Sequence, residues 1–346
     1  MSSTLQIGLA VAGGVVLAAV VAHGAWSSRR NAPKRADPEP AEPLVAQQGA
    51  ETERREPGFD EGLSAMPLPT PERRPGLDSL VDVIAPVAVD TPVSGDAALA
   101  AMPTTRRVGS KPFAIEGRNV ASQQWETPAP GQRYDALQTG VQLANRTGAL
   151  NEIEFSEFVM KTQAFADAVN GAPEFPEMRE EVARARELDQ FASAHDAQLS
   201  FTLRAQHAAW SPGYVHQNAA RLGFVAGMIP GRMVLASSTV GMPPILGLAF
   251  DSQAALAEDP DQSAIRSITL TLDVPQVERA EQPFVRMRET AMALAQAMDG
   301  VITDDAARPL ARESMDVIGS ELEQLYDTLD ARDLSAGSAL ARRLFS

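Results

Sequence analysis

His23, His195, His207 and His216 are the side chains best suited to general acid-base work or zinc ligation, because imidazole alone titrates near neutrality when unperturbed. Their spacing supports neither role. No metal-ligand interval separates them, no His-Glu-x-x-His helix exists, and the chain has no cysteine to complete a tetrahedral site. The missing cysteines also exclude a thiolate nucleophile, a disulfide framework and a lipidated anchor. Asp304-Asp305, close after Gly300, reads as a turn rather than a cation site. Gly223, Gly227 and Gly231 lack the spacing and the lysine of a phosphate-binding loop. The expectation is a protein without catalytic residues, metal or cofactor.

Charge narrows the partners. A net charge of -15 with dispersed basic residues opposes binding to a polyanion, so no nucleic acid is expected. The exception to the acidity is local: residues 1–28 carry no Asp, Glu, Lys or Arg, and Arg29, Arg30, Lys34 and Arg35 follow at once. The apolar run from Leu5 to Trp26 rises about 1.5 Å per residue as a helix, enough to cross a hydrocarbon core of about 30 Å. With the basic flank on its C-terminal side, the positive-inside rule puts the N-terminus outside and the rest in the cytoplasm. A cleaved signal peptide is the competing reading, but Met1-Ser2-Ser3-Thr4 offers no positive n-region.

Residues 29–76 are rich in Pro, Glu, Ala, Gln and Arg, with no sustained apolar period, and read as a disordered linker. As a flexible coil, about 45 such residues span roughly 35 to 40 Å.

The remainder contains a repeat. Sliding the chain by 129 residues brings Val141 and Leu143 onto Leu270 and Leu272, and Phe155, Phe158, Phe165, Val169 and Gly171 onto Phe284, Met287, Leu294, Met298 and Gly300. The apolar positions form a helical face, and each glycine falls where a helix C-cap needs a positive φ. Beyond a five-residue insertion, Glu187-Leu188-Asp189-Gln190-Phe191 aligns with Glu321-Leu322-Glu323-Gln324-Leu325. Matching strand, helix, cap and second helix in one order favours duplication over chance.

In the second copy, strands are expected at Leu199 to Ala205, Met233 to Ser237, Ile245 to Phe250 and Ile268 to Val274. A helix from Gly213 to Leu222 starts behind Ser211-Pro212. The first-copy counterparts are Val81 to Val89, a short helix from Ser94 to Met102, Phe113 to Arg118, Gln124 to Glu126 and Tyr134 to Asn145. The fold class is α+β, an antiparallel-rich sheet with helices on one face, in two tandem copies after one N-terminal transmembrane helix.

His23-Gly24-Ala25-Trp26-Ser27-Ser28-Arg29-Arg30, Leu272-Asp273-Val274-Pro275 and Asp299-Gly300-Val301-Ile302-Thr303-Asp304-Asp305 resemble the ZipA family of bacterial division proteins. The order of anchor, Pro-rich linker and C-terminal α+β domain matches as well. The resemblance covers the anchor and residues 198 to 331, and the first copy departs from the family's single-domain pattern. It implies a non-enzymatic tether at the division septum, set in the inner membrane. The open face of its C-terminal sheet would hold the C-terminal tail of FtsZ, the tubulin-like filament protein. An inner-membrane scaffold for another envelope or cytoskeletal partner is the alternative.

Side chains alternate between faces along a strand. That alternation puts Ile268, Leu270, Leu272 and Val274 toward the helices and leaves Thr269, Thr271 and Asp273 on the open face. It turns Leu246, Leu248 and Phe250 inward and Ile245, Gly247, Ala249 and Asp251 outward, while Ser200, Thr202 and Arg204 line the first strand. Met233 and Leu235 match apolar positions of the family's groove-edge strand. The expected peptide site is therefore Thr202, Arg204, Met233, Leu235, Ala249, Asp251, Thr269 and Thr271, more polar than the resemblance implies. The parts are an anchor over 1–28, a linker over 29–76, a degenerate module over 77–197, the tail-binding module over 198–334 and a tail over 335–346. That tail is expected either as a small partner-binding helix or as a frayed end packed on its own domain.

Overall fold

The computed structural model describes residues 33–36, 76–257, 259, 263–304 and 306–346. The apolar N-terminal run lies outside these residues. Among the described residues no helix is long and apolar enough to cross a membrane.

Two antiparallel sheets follow each other along the chain. The first is built chiefly from β1 (Asp82–Val89), β2 (Lys111–Asn119), β3 (Trp125–Glu126), β4 (Arg133–Gln142) and β5 (Gly171–Pro173), in the order β2-β4-β1-β5 with β3 outside β2, and the two-residue strands Val93–Ser94 and Arg107–Val108 pair with β4 and β2. A short helix, α1 (Gly95–Ala100), follows β1, and the long helices α2 (Glu152–Ala168) and α3 (Met178–His195) flank β5. The second sheet comprises β6 (Gln198–Ala205), β7 (Phe224–Ala226), β8 (Arg232–Leu235), β9 (Leu246–Ala249), β10 (Ser267–Asp273) and β11 (Gly300–Thr303), in the order β7-β8-β9-β10-β6-β11. Its helices are α4 (Pro212–Ala220), α5 (Ser252–Ala255), α6 (Pro283–Met298) and α7 (Arg312–Asp330); α8 (Ala339–Leu344) ends the chain.

Local chemistry sets the helix starts. Asn151 and Glu154 form a reciprocal capping box at α2. Ser211 accepts from the Tyr214 N–H at α4, with Pro212 in the first turn, where its missing N–H costs nothing. The helix ends differ from expectation. The positive φ falls on Asn170 (52°) and Asp299 (59°), one residue before the glycines. Gly171 serves close packing instead, since a Cβ there would lie 2.6 Å from Val87 Cγ1.

Strand alternation decides the core. Ile268, Leu270 and Leu272 on β10 and Phe201 and Leu203 on β6 are buried, and Phe201 meets Phe284 of α6 edge-to-face at 6.2 Å. Phe113 of β2 meets Phe158 of α2 in the same way at 6.1 Å. The first-copy alignment needs one correction. β2 pairs directly with β4, as β9 pairs with β10, so Lys111–Asn119 takes the sheet position expected of Gln124 to Glu126. The β3 residues Trp125 and Glu126 pair on its outer edge.

The C-terminus is neither frayed nor attached to one module. Leu344 and Phe345 are buried in a core that continues through both sheets. Gln142 of β4 donates to the Arg343 carbonyl (2.7 Å), Gln276 donates to the Phe345 carbonyl (2.7 Å), and Arg343 pairs with buried Asp82. Arg146 forks onto Asp196 (2.6 Å) and Asp273 (2.8 Å), and these two hydrogen-bonded carboxylates hold its guanidinium pKa above the ordinary arginine value. Residues 33–36, within the expected linker, are also placed: the Lys34 N–H donates to the Ala209 carbonyl (2.6 Å) and its ammonium to the Met298 carbonyl (3.2 Å).

Candidate peptide-binding face of the second sheet

The face of the second sheet opposite α6 is read from its pairing register. One row crosses it as Val225, Val234, Gly247, Thr271 and Ser200. The next row is Arg232, Ala249, Thr269, Thr202 and Thr303. Gly247 and Ala249 make a low floor along β9, flanked by Val234 on one side and by the two threonines of β10 on the other. A Cβ on Gly247 would lie 2.6 Å from Thr271 Oγ1, so the threonine hydroxyl leans over the glycine and a larger residue there would displace it.

Thr202, Arg204, Ala249, Thr269 and Thr271 thus share this face. Met233 and Leu235 do not. They pair with Leu248 and Leu246, whose side chains face the helices, and Met233 is 2% exposed. β8 starts at Arg232, and that register turns its even-numbered Val234 outward. Asp251 lies beyond β9 and accepts from the Gln253 N–H as the cap of α5. Ile245, expected outward, is buried; its N–H donates to the Leu235 carbonyl just before β9 begins.

The apolar part missing from the sequence-derived site lies at the β7–β8 edge. Val225 is 55% exposed beside Val234, and the turn joining their strands exposes Met228 and Ile229. The signal was present in Gly227 to Gly231, which is a hairpin turn: Gly227 N–H donates to the Arg232 carbonyl and Gly231 has φ 77°. Arg204 and Arg232 are exposed and have no carboxylate partner among the described residues.

The three described histidines are dispersed, and His23 lies outside the described residues. His195 Nδ1 lies 2.7 Å from the Phe191 carbonyl, and His207 pairs with Asp299 at 3.0 Å. His216 stands edge-on to Phe250, and burial lowers its pKa. Asp304 accepts from the Arg308 N–H and guanidinium, closing a turn. Among the described residues no three His, Asp or Glu converge as a metal site would require.

Residues 256–321, from the end of α5 through β10, α6 and β11 into α7, match the family model of ZipA, C-terminal FtsZ-binding domain. This segment is ZipA-like. The match includes Thr269 and Thr271 of the open face, the whole of α6 and the first half of α7. By its description that family is an FtsZ-binding one, and the match covers this segment of the chain. No curated protein matches the chain.

Proposed function

We propose that the chain is a non-enzymatic membrane tether of the division ring, whose C-terminal module holds the C-terminal tail of FtsZ on the open face of its sheet. The observation that carries this reading is the trough of Gly247 and Ala249 between Val234 and Thr271, on the module that contains the ZipA match. Apolar tail side chains would lie on the small floor and against Val225 and Val234, and tail carboxylates would meet Arg204 and Arg232. Each contact is weak, but a filament offers many tails to many tethers, so avidity supplies the hold.

The proposal includes the apolar segment 1–28 as a single-pass inner-membrane anchor with the modules in the cytoplasm, and a linker over 29–76. It also includes the origin of modules 77–197 and 198–334 by duplication. The like strand orders of the two sheets and the paired Asn170-Gly171 and Asp299-Gly300 corners support that origin. No cofactor or nucleic acid takes part.

Titration of the full chain with a fluorescent FtsZ tail peptide tests the reading. Gly247→Val, which fills the trough, is expected to weaken binding at least tenfold. Undiminished affinity in a folded Gly247→Val protein rejects the face, and no binding by the unmodified chain favours a scaffold for a different partner.

A further inference from the structure

The open face of the first sheet is occupied by the chain itself. Ala114, Gly140 and Ile84 form one cross-strand row, and a Cβ on Gly140 would lie 2.5 Å from Leu77 Cδ2. The leucine side chain fills the notch the glycine leaves. The Leu77 N–H donates to Glu116 Oε1 (3.0 Å), and Gln138 holds the other carboxylate oxygen (2.9 Å). Farther along the same segment, Asp82 pairs with Arg343. This face therefore meets a leucine from the turn that precedes β1, and at the start of β1 a strand carboxylate pairs with the α8 arginine.

Beside Leu77 the face stays open. A cavity of about 500 Å³ between β2 and α8 is walled by Leu77, Met102 and Ala114, with Glu116 beside them, and rimmed by Arg106 and Arg342. A second, of about 690 Å³, continues it past Gly76 to Trp125 and shares Arg106, Glu116 and Thr127 with the first. Both have the size of ligand sites, and the first has their mostly apolar lining with a few polar groups. Among the described residues the two arginines have no strong acceptor. Their side chains reach the sulfurs of Met102 (3.7 Å) and Met242 (3.3 Å), and Arg342 Nε is buried without a partner. Thioether sulfur is a weak acceptor, whereas the guanidinium fork is matched by a carboxylate.

We propose that this groove is a second peptide-binding site, which takes a short acidic segment with apolar side chains from a partner protein. Apolar side chains enter against Leu77, Ala114 and Trp125, and carboxylates pair with Arg106 and Arg342. The chain's own Glu72-Arg73-Arg74-Pro75, just upstream of Leu77, is net basic and matches these arginines poorly. The site is separate from the face assigned to the FtsZ tail and does not depend on that assignment.

Because the chain has no cysteine, Thr127→Cys gives one labelling position for an environment-sensitive dye. The labelled full chain is titrated with a hexapeptide of alternating leucine and aspartate, and with its leucine-lysine counterpart. Saturation by the acidic peptide alone is expected, at least tenfold weaker in Arg106→Glu and in Arg342→Gln and unchanged in Val234→Glu. Arg106 is exposed, so its variant is expected to keep the native melting temperature, which is measured alongside. No saturation at millimolar peptide, equal binding by a folded Arg106→Glu protein, or a response to phosphatidylglycerol vesicles in place of peptide would overturn the site.

Discussion

Met233 and Val234 are neighbours on one strand that point to opposite faces, so the same substitution at each separates folding from binding. Met233 is 2% exposed and paired with Leu248 in the core. A glutamate there loses methionine packing worth about 2 kcal/mol or more. It must also be neutralised to stay buried, and protonating a group of ordinary pKa near 4.3 at pH 7 costs about 4 kcal/mol. The sum, roughly 6 kcal/mol, is comparable to the whole stability of a typical domain. Val234 lies in the open row between Val225 and Gly247, where a glutamate keeps its water and costs stability about 0.5–1 kcal/mol. Its effect falls on the tail, with an expected loss of about 2 kcal/mol of binding, roughly thirtyfold. Circular dichroism melts and fluorescence anisotropy with the FtsZ tail peptide read the two effects. The buried glutamate has a raised folded pKa, so the Met233→Glu deficit shrinks as pH falls from 7 toward 5, while Val234→Glu has no such recovery. A Met233→Glu protein that melts like the unmodified chain at pH 7, or a Val234→Glu protein that binds like it, refutes the face assignment.

Three further outcomes are expected. Phe345→Ala empties a site 1% exposed at the end of α8 and costs about 3–5 kcal/mol, read as a lower midpoint in urea. Gly140→Ala pushes a methyl into Leu77 and is expected to speed amide exchange at the Leu77 N–H, which Glu116 protects. Glu281 has its carboxyl held below the usual glutamate range, chiefly by the Ser238 hydroxyl, then by the Ser238 N–H, the Ser237 hydroxyl and Arg286. A lowered folded pKa adds stability that is present above pH 4.5 and lost as pH falls through the folded pKa. Glu281→Gln should flatten the fall of melting temperature between pH 5 and 3, and an unaltered slope would show that this carboxylate carries no such linkage.

Alternation along Ile268 to Leu272 was readable because apolar and polar residues alternate without interruption, and all three predicted inward side chains are buried. The eight-residue peptide site was less readable. Five of its members share the open face, but Met233 and Leu235 were assigned from apolar character, which a groove and a core both favour. Only the hydrogen-bond register decides between them, since a shift of one residue exchanges the faces. Val225 was missed because three residues of β7 are too short to carry a period, and the glycines around its turn were weighed only against a phosphate loop.

What residue order alone determined is what depends on neighbours in the chain: the charge-free run before Arg29, the cap at Ser211, and the apolar faces of α2 and α6. Tertiary structure decided what depends on residues far apart. It placed Leu77 over Gly140, and it put Phe345 and Arg343 against a strand some two hundred positions earlier. It also set Arg146 between Asp196 and Asp273. Local periodicity reports which way a side chain turns relative to its own backbone; which partner fills the space it turns toward is settled by packing over the whole chain.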